Sequence, residues 1–252
     1  MYKVLAFDLD GTLAPSKTRM SDQMAVTLSQ LLETYQLCVI SGGKFGQFQL
    51  QVLDALKVGD SELSKLHLMP ACGTQYYRYE NGWQEVYAEN FTEDQKRQVY
   101  EALEQGIEAT GLHEATTYGP IIEDRGSQIT FSALGQDIAS ELGEEGIRLK
   151  EEWDADGTKK ERLRAYLATL IPEFEIRAGG TTSIDITKPG IDKAYGIGKL
   201  IEMLGIAKDE VLFFGDKMQP GGNDYPVKAY GVDSREVLSP EDTLTMLKNL
   251  QK

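Results

Sequence analysis

With 252 residues, the chain has room for one large domain or for a core carrying a second, inserted one. Hydrophobic residues make up 41% and charged residues 26%, the balance of an ordinary folded protein without disordered or low-complexity stretches. The formal net charge of −14 repels polyanions, which argues against nucleic acid or an anionic membrane surface as partner, and no apolar run approaches membrane-spanning length.

Residues 3–9 form an apolar, β-compatible run ending in acid and glycine, and Ser21 then precedes a helical pattern with Met24, Leu28, Leu31 and Leu32. A second strand over 37–40 stops at Ser41-Gly42-Gly43. Behind it comes a helix with Phe45, Phe48, Val52 and Leu56 on one face, then a strand over 67–70. Strand alternating with helix is the pattern of a parallel sheet covered by helices. The two cysteines, Cys38 and Cys72, lie in apolar surroundings and are too few for a disulfide scaffold, so they read as buried thiols. With no signal-peptide pattern at the N-terminus, the expected location is cytoplasmic.

From about residue 76 the rhythm changes. Residues 76–79, Asn81-Gly82 and 83–87 predict a hairpin, because Asn-Gly supplies the positive φ of a tight turn. Thr92 and Gln95 form a capping box for a helix with Val99, Leu103 and Ile107. Strands over 121–125 and 128–133, a helix over 159–171 and strands over 174–177 and 183–186 complete an α+β section. The parallel rhythm returns with a helix over 191–204, an apolar run over 211–214, a short strand near Tyr230 and a last helix opening at Ser239-Pro240. The expected organisation is therefore an α/β core, residues 1–83 and 188–252, interrupted by an inserted domain over 84–187.

Asp8 and Asp10 stand two apart at the end of the first strand, in F-D-L-D-G-T-L, so both carboxylates can face one site while Gly11 turns the backbone away. Paired carboxylates at the carboxyl end of a parallel strand lie where α/β sheets bind ligands, and magnesium favours such oxygen donors. Taken alone, the motif is also an ordinary polar turn. Other polar groups recur at the same edge: Ser41 with Gly42 and Gly43, Lys193 at a helix start, and Asp216 and Asp224 in G-D-K-M-Q-P-G-G-N-D. Each has a structural explanation as cap, solvated lysine or loop acid. Their recurrence at successive strand ends points to a site.

These four motifs, in this order, resemble the haloacid dehalogenase superfamily, and an insertion between the second and third resembles its C2-type cap. The resemblance implies a Rossmann-like parallel-sheet core with an α+β cap, and Mg²⁺ as cofactor. It further implies that Asp8 is the nucleophile forming an aspartyl-phosphate, that Asp10 is the general acid and base, and that Ser41 and Lys193 contact the phosphoryl group and nucleophile. The metal would be held by Asp8, the backbone carbonyl of Asp10 and Asp216, with Asp224 ordering that shell.

Within the superfamily the chain is similar to eukaryotic-type phosphomannomutases, through residues 213–224, G-G-x-x-S-x-D at 179–185 and D-K-x-Y at 192–195. That likeness implies substrate contacts from Lys17, Gly42, Gly43, Arg125, Ser183 and Asp185, and offers a homodimer formed through the cap. Two further cap arginines of such mutases fall at Gln136 and near Gly143, and loss of bidentate arginines weakens the hold on a second phosphate. Arg148, Lys159 and Arg177 are the nearby cations that could compensate. The expectation is therefore a Mg-dependent phosphohydrolase acting on a small phosphorylated metabolite such as a sugar phosphate. The alternative is a phosphomannomutase, and a third reading is a catalytically idle relative that binds such a ligand or a protein partner.

Overall fold

The computed structural model describes residues 1–250. In chain order its elements are β1 (Val4–Phe7), α1 (Asp22–Thr34), β2 (Gln36–Ile40), α2 (Phe45–Phe48) running into a π-helical turn (Gln49–Leu53), α3 (Asp60–Leu63), β3 (Leu66–Met69), β4 (Gln75–Tyr79) and β5 (Trp83–Ala88). Then come α4 (Glu93–Thr110), β6 (Ile122–Asp124), β7 (Gln128–Ser132), α5 (Ile138–Leu142), α6 (Glu144–Trp153), α7 (Thr158–Leu170), β8 (Glu175–Ala178) and β9 (Ser183–Thr187). The chain closes with α8 (Lys193–Leu204), β10 (Val211–Gly215), α9 (Tyr225–Ala229), β11 (Asp233–Glu236) and α10 (Pro240–Leu250).

Two compact units divide the chain. The first comprises Met1–Ala88 and the stretch from Asp192 onward, and is built on one sheet in the order β11-β10-β1-β2-β3-β4-β5. Its five strands from β11 to β3 run parallel, and β4 and β5 add an antiparallel hairpin. Alternate residues of each parallel strand enter opposite cores, as the two-residue period requires. Leu5, Phe7, Leu37, Val39, Leu212 and Phe214 pack with α1 and α10, whereas Val4, Ala6, Cys38, Ile40, Val211 and Phe213 pack with α8. Phe7 and Phe214 stack at 5.2 Å across β1 and β10. Each such fully buried side chain contributes roughly 1.5–3 kcal/mol, so the central strands are anchored from both faces.

Helix α1 starts where Ser21 accepts from the Met24 N–H and buries Met24, Leu28, Leu31 and Leu32. The chain leaves β1 towards β2 on one side and returns at β10 on the other, which makes the carboxyl ends of β1 and β10 the topological switch point where open α/β sheets bind ligands.

The second unit, Glu89–Ile191, carries an antiparallel sheet in the order β6-β7-β9-β8. One face places Ile129, Phe131, Ile176, Ile184 and Ile186 against Val99, Leu103 and Ile107 of α4 and Leu163 and Leu167 of α7. The opposite face carries Gln128, Thr130, Ser132, Ser183, Asp185 and Thr187 at the alternating positions. The Thr92–Gln95 capping box is present at the start of α4.

Three expectations are corrected. An insertion over 84–187 would cut β5, whose pairing with β4 keeps it in the first unit's sheet; the chain passes from one unit to the other at 88/89 and 191/192. The strand foreseen near Tyr230 lies later, at Asp233–Glu236, and Tyr230 instead caps α9. Cys72 is only partly buried, at φ +58° beside Gly73, although Cys38 is fully enclosed.

Candidate active site

Asp8 follows β1 directly and is 3% exposed. Its Oδ1 accepts from Lys193 Nζ at 2.5 Å, and the same ammonium donates to Asp224 Oδ1 at 2.6 Å. Lys193 reaches this position because it is the first residue of α8, where the Asp192 side chain accepts from Tyr195 N–H and caps the helix. Asp216 and Asp224 come from the loop after β10, and Asp224 Oδ2 accepts from Lys217 N–H at 3.0 Å. A Cβ at Gly11 would stand 2.7 Å from Asp216 Oδ2, so glycine at φ +87° is what lets the loops after β1 and β10 approach each other.

The carboxylates of Asp8, Asp216 and Asp224 each offer an oxygen within 4.8 Å of the others. With all three carboxylates ionised, the one buried ammonium would leave two negative charges uncompensated, which one divalent cation would balance. Burial pushes the Asp8 carboxyl up to about 8; Lys193 pulls it down, and Asp224 and Asp216 add to the rise. Asp216 is raised chiefly by its burial as well, with Asp224 adding and Lys217 opposing. Burial alone would lower Lys193, but Asp224 and Asp8 outweigh it and hold the ammonium above its ordinary value. Asp216 Oδ1 is buried with no hydrogen-bond partner. An orphaned hard oxygen, the excess negative charge and the all-oxygen donor set fit a magnesium ion.

Ser41 directly follows β2, which pairs with β1, and is 5% exposed, with its Oγ accepting from Gly43 N–H at 3.3 Å, which leaves the hydroxyl proton to donate. Asp10 is placed differently from Asp8. Its Oδ1 accepts from Lys17 N–H at 2.8 Å and from Gln51 Nε2 at 3.0 Å, and its Oδ2 accepts from Gln47 Nε2 at 3.0 Å. Lys17 reaches Asp10 through its backbone, at φ +55°. The space beside Gly43 is filled by the Gln47 side-chain oxygen, with which a Cβ there would collide. Gln47 and Gln51 were not among the residues foreseen. Their four-residue spacing on the polar side of the Phe45–Val52 helix was the available signal.

In the second unit, Arg125 Nε donates to Glu123 Oε2 at 2.8 Å and its Nη2 to Gln136 Oε1 at 3.3 Å. Thr130 Oγ1 donates to Asp185 Oδ1 at 2.7 Å, and Ser183 stands opposite Ser132 in the β7–β9 register. Gly143 joins α5 to α6 at φ +58°, a conformation that disfavours arginine. The compensating cations turn elsewhere: Arg148 pairs with Glu145 and Glu152, Arg177 with Glu175, and Lys159 lies 4.7 Å over the Trp153 ring.

No helix among the described residues is long and apolar enough to cross a membrane. The model of the haloacid dehalogenase-like hydrolase family matches residues 5–226. Phosphomannomutase 1 of Mus musculus is 27% identical over 97% of this chain and 90% of its own length, and the phosphomannomutase of Schizosaccharomyces pombe is 28% identical over 98% and 93%. Among solved structures, the IMP-bound IMP-nucleotidase of Plasmodium falciparum superposes with a TM-score of 0.70 at 17% identity, over 99% of this chain and 68% of that one. A haloacid dehalogenase-like hydrolase from Bacteroides thetaiotaomicron gives 0.63 at 15% identity over 99% and 100%. With its four motifs gathered at the strand ends of a parallel sheet and the family match running through both units, the chain belongs to the haloacid dehalogenase-like hydrolases.

Proposed function

We propose that the protein transfers phosphoryl groups on hexose phosphates through Asp8, with the isomerisation catalysed by phosphomannomutases as its net reaction. The observation that carries this reading is the likeness to phosphomannomutases over 97–98% of the chain. It supports the mutase better than the expectation that simple hydrolysis is the main outcome.

Asp8 attacks phosphorus, the bond to the leaving sugar oxygen breaks, and Asp10 gives that oxygen a proton. Asp10 then takes the proton of a hydroxyl on a sugar monophosphate as that oxygen removes the phosphoryl group from Asp8. The resulting bisphosphate turns round and returns its other phosphoryl group to Asp8. Lys193, 2.5 Å from Asp8, offsets the repulsion between carboxylate and phosphate, and the Ser41 hydroxyl donates to a phosphoryl oxygen. Asp8, Asp216 and the Asp10 carbonyl, with Asp224 beside them, would hold a Mg²⁺ ion, which when bound would supply positive charge that favours the ionised carboxylate and polarises the phosphoryl group. On this reading Lys17, Gly42 and Gly43 serve the phosphate, and Arg125, Ser183 and Asp185 serve the sugar.

A second reading, net hydrolysis of a sugar monophosphate, is favoured by one feature. Arg125 is already paired with Glu123, and the neighbouring position holds the neutral, 4%-exposed Gln136. Phosphorus NMR with mannose 1-phosphate, Mg²⁺ and a trace of hexose 1,6-bisphosphate separates the two. Mannose 6-phosphate as the main product supports the mutase. Inorganic phosphate as the main product rejects it in favour of the hydrolase.

A further inference from the structure

The contacts made by Asp10 go beyond what its acid–base role requires. Its two oxygens accept three hydrogen bonds, two of them from glutamine amides on one helix. Gln51 Nε2 also donates to Thr18 O at 2.9 Å and Pro15 O at 3.4 Å, so a single amide nitrogen ties Asp10 to the loop that follows it. The Gln51 backbone carbonyl accepts from Met20 N–H at 3.0 Å and fastens the same loop to the helix. Gln51 is fully buried, yet its Oε1 has no partner. Packing alone would place an apolar side chain of that size here, because a buried amide oxygen left unpaired is costly.

The local backbone is arranged to deliver both amides. Gln51 lies in the π-helical turn Gln49–Leu53, a conformation that is rare and concentrated at functional positions. Gln47, one turn earlier, fits only because residue 43 has no Cβ. Asp10 is therefore approached by donors on both oxygens, from a helix whose apolar face, through Phe48 and Val52, is locked into the core.

We infer that Gln47 and Gln51 are positioning residues that set the orientation of the Asp10 carboxylate for proton exchange with the sugar oxygen. The inference rests on the reading of Asp10 as general acid and base. Its signature is selective, since a well-placed acid matters for a leaving group that must be protonated and little for one that departs as a stable anion. The test compares the wild type with Gln47→Met and Gln51→Met, which keep the volume and remove the donor, in single turnovers with Mg²⁺. Hexose release from hexose 6-phosphate should slow by about 10- to 100-fold at unchanged KM, while release of 4-nitrophenolate from 4-nitrophenyl phosphate stays within about 3-fold. Equal loss with both esters, or loss with neither, would overturn the inference.

A second readout does not need turnover. The side-chain amide signals of Gln47 and Gln51 in nitrogen-15 spectra should shift in Asp10→Asn, and unmoved signals overturn the contact itself. A wild type that turns over neither ester sinks the phosphoryl-transfer reading, and the amide signals then decide the clamp alone.

Discussion

Lys193→Met removes the one buried ammonium that bridges Asp8 and Asp224, at 2.5 and 2.6 Å, and leaves three carboxylates with oxygens within 4.8 Å of one another. Both partners are almost wholly enclosed, so water cannot screen the loss. Removing one member of a buried ion pair costs about 3–5 kcal/mol. For a chain of this size that lowers Tm by about 10 °C in the absence of divalent cation. Added Mg²⁺ should recover part of the loss, by about 2.7 kcal/mol at a hundred times its Kd, because it binds the folded carboxylate cluster and not the unfolded chain. The assay is thermal unfolding followed by circular dichroism, for both proteins, in chelator and in excess Mg²⁺. An unchanged Tm in chelator, or a Mg²⁺ effect no larger in the variant than in the wild type, would refute the reasoning that these groups form one charge-balanced cluster.

Asp8→Asn should abolish turnover, by about a thousandfold or more, while leaving the far-ultraviolet spectrum unchanged; residual activity near the wild-type level would remove Asp8 as nucleophile. His67, bonded to Tyr76 and Gln36 in the interior, is lowered to about 4 by burial first and by Arg78 second. A base lowered by folding contributes stability that is fully present above its unfolded value near 6.5 and is lost as pH falls towards 4, here by up to about 3 kcal/mol. Urea unfolding from pH 7.5 to 4.5 should show that decline in the wild type and a shallower one in His67→Gln; parallel curves would reject it. Gly73→Ala would drive a Cβ into the Gly196 backbone of α8, at a position already at φ +85°, and should cost about 3 kcal/mol by urea unfolding. It should also reduce activity, because α8 carries Lys193; a stable, fully active variant would show that α8 yields without consequence.

Local chemistry made much of this protein legible. The apolar runs of β1, β2, β3 and β10 stand out because strands buried on both faces must be continuously hydrophobic. The motifs at their carboxyl ends follow each run directly, so Asp8, Ser41, Lys193 and Asp216 could be placed at one sheet edge without coordinates. Elements without a hydrophobic period stayed hidden. The polar edge strand β11, with the sequence D-S-R-E, was displaced towards Tyr230, and α5 and α6 went unnoticed among glutamates and glycines.

Sequence by itself determined the family, the parallel core and the placing of Asp8 at the carboxyl end of its first strand, because these depend on residue types at fixed short spacings from strand ends. Tertiary structure decided the rest. Asp224 is 31 residues from Lys193, and Gln51 is 41 from Asp10; only folding brings such pairs within hydrogen-bond reach. Likewise Arg125 looks like a free phosphate ligand until Glu123 and Gln136 are seen to occupy it. What a charged or amide side chain does depends on its partners and its burial, and both are properties of the packed chain and not of its order.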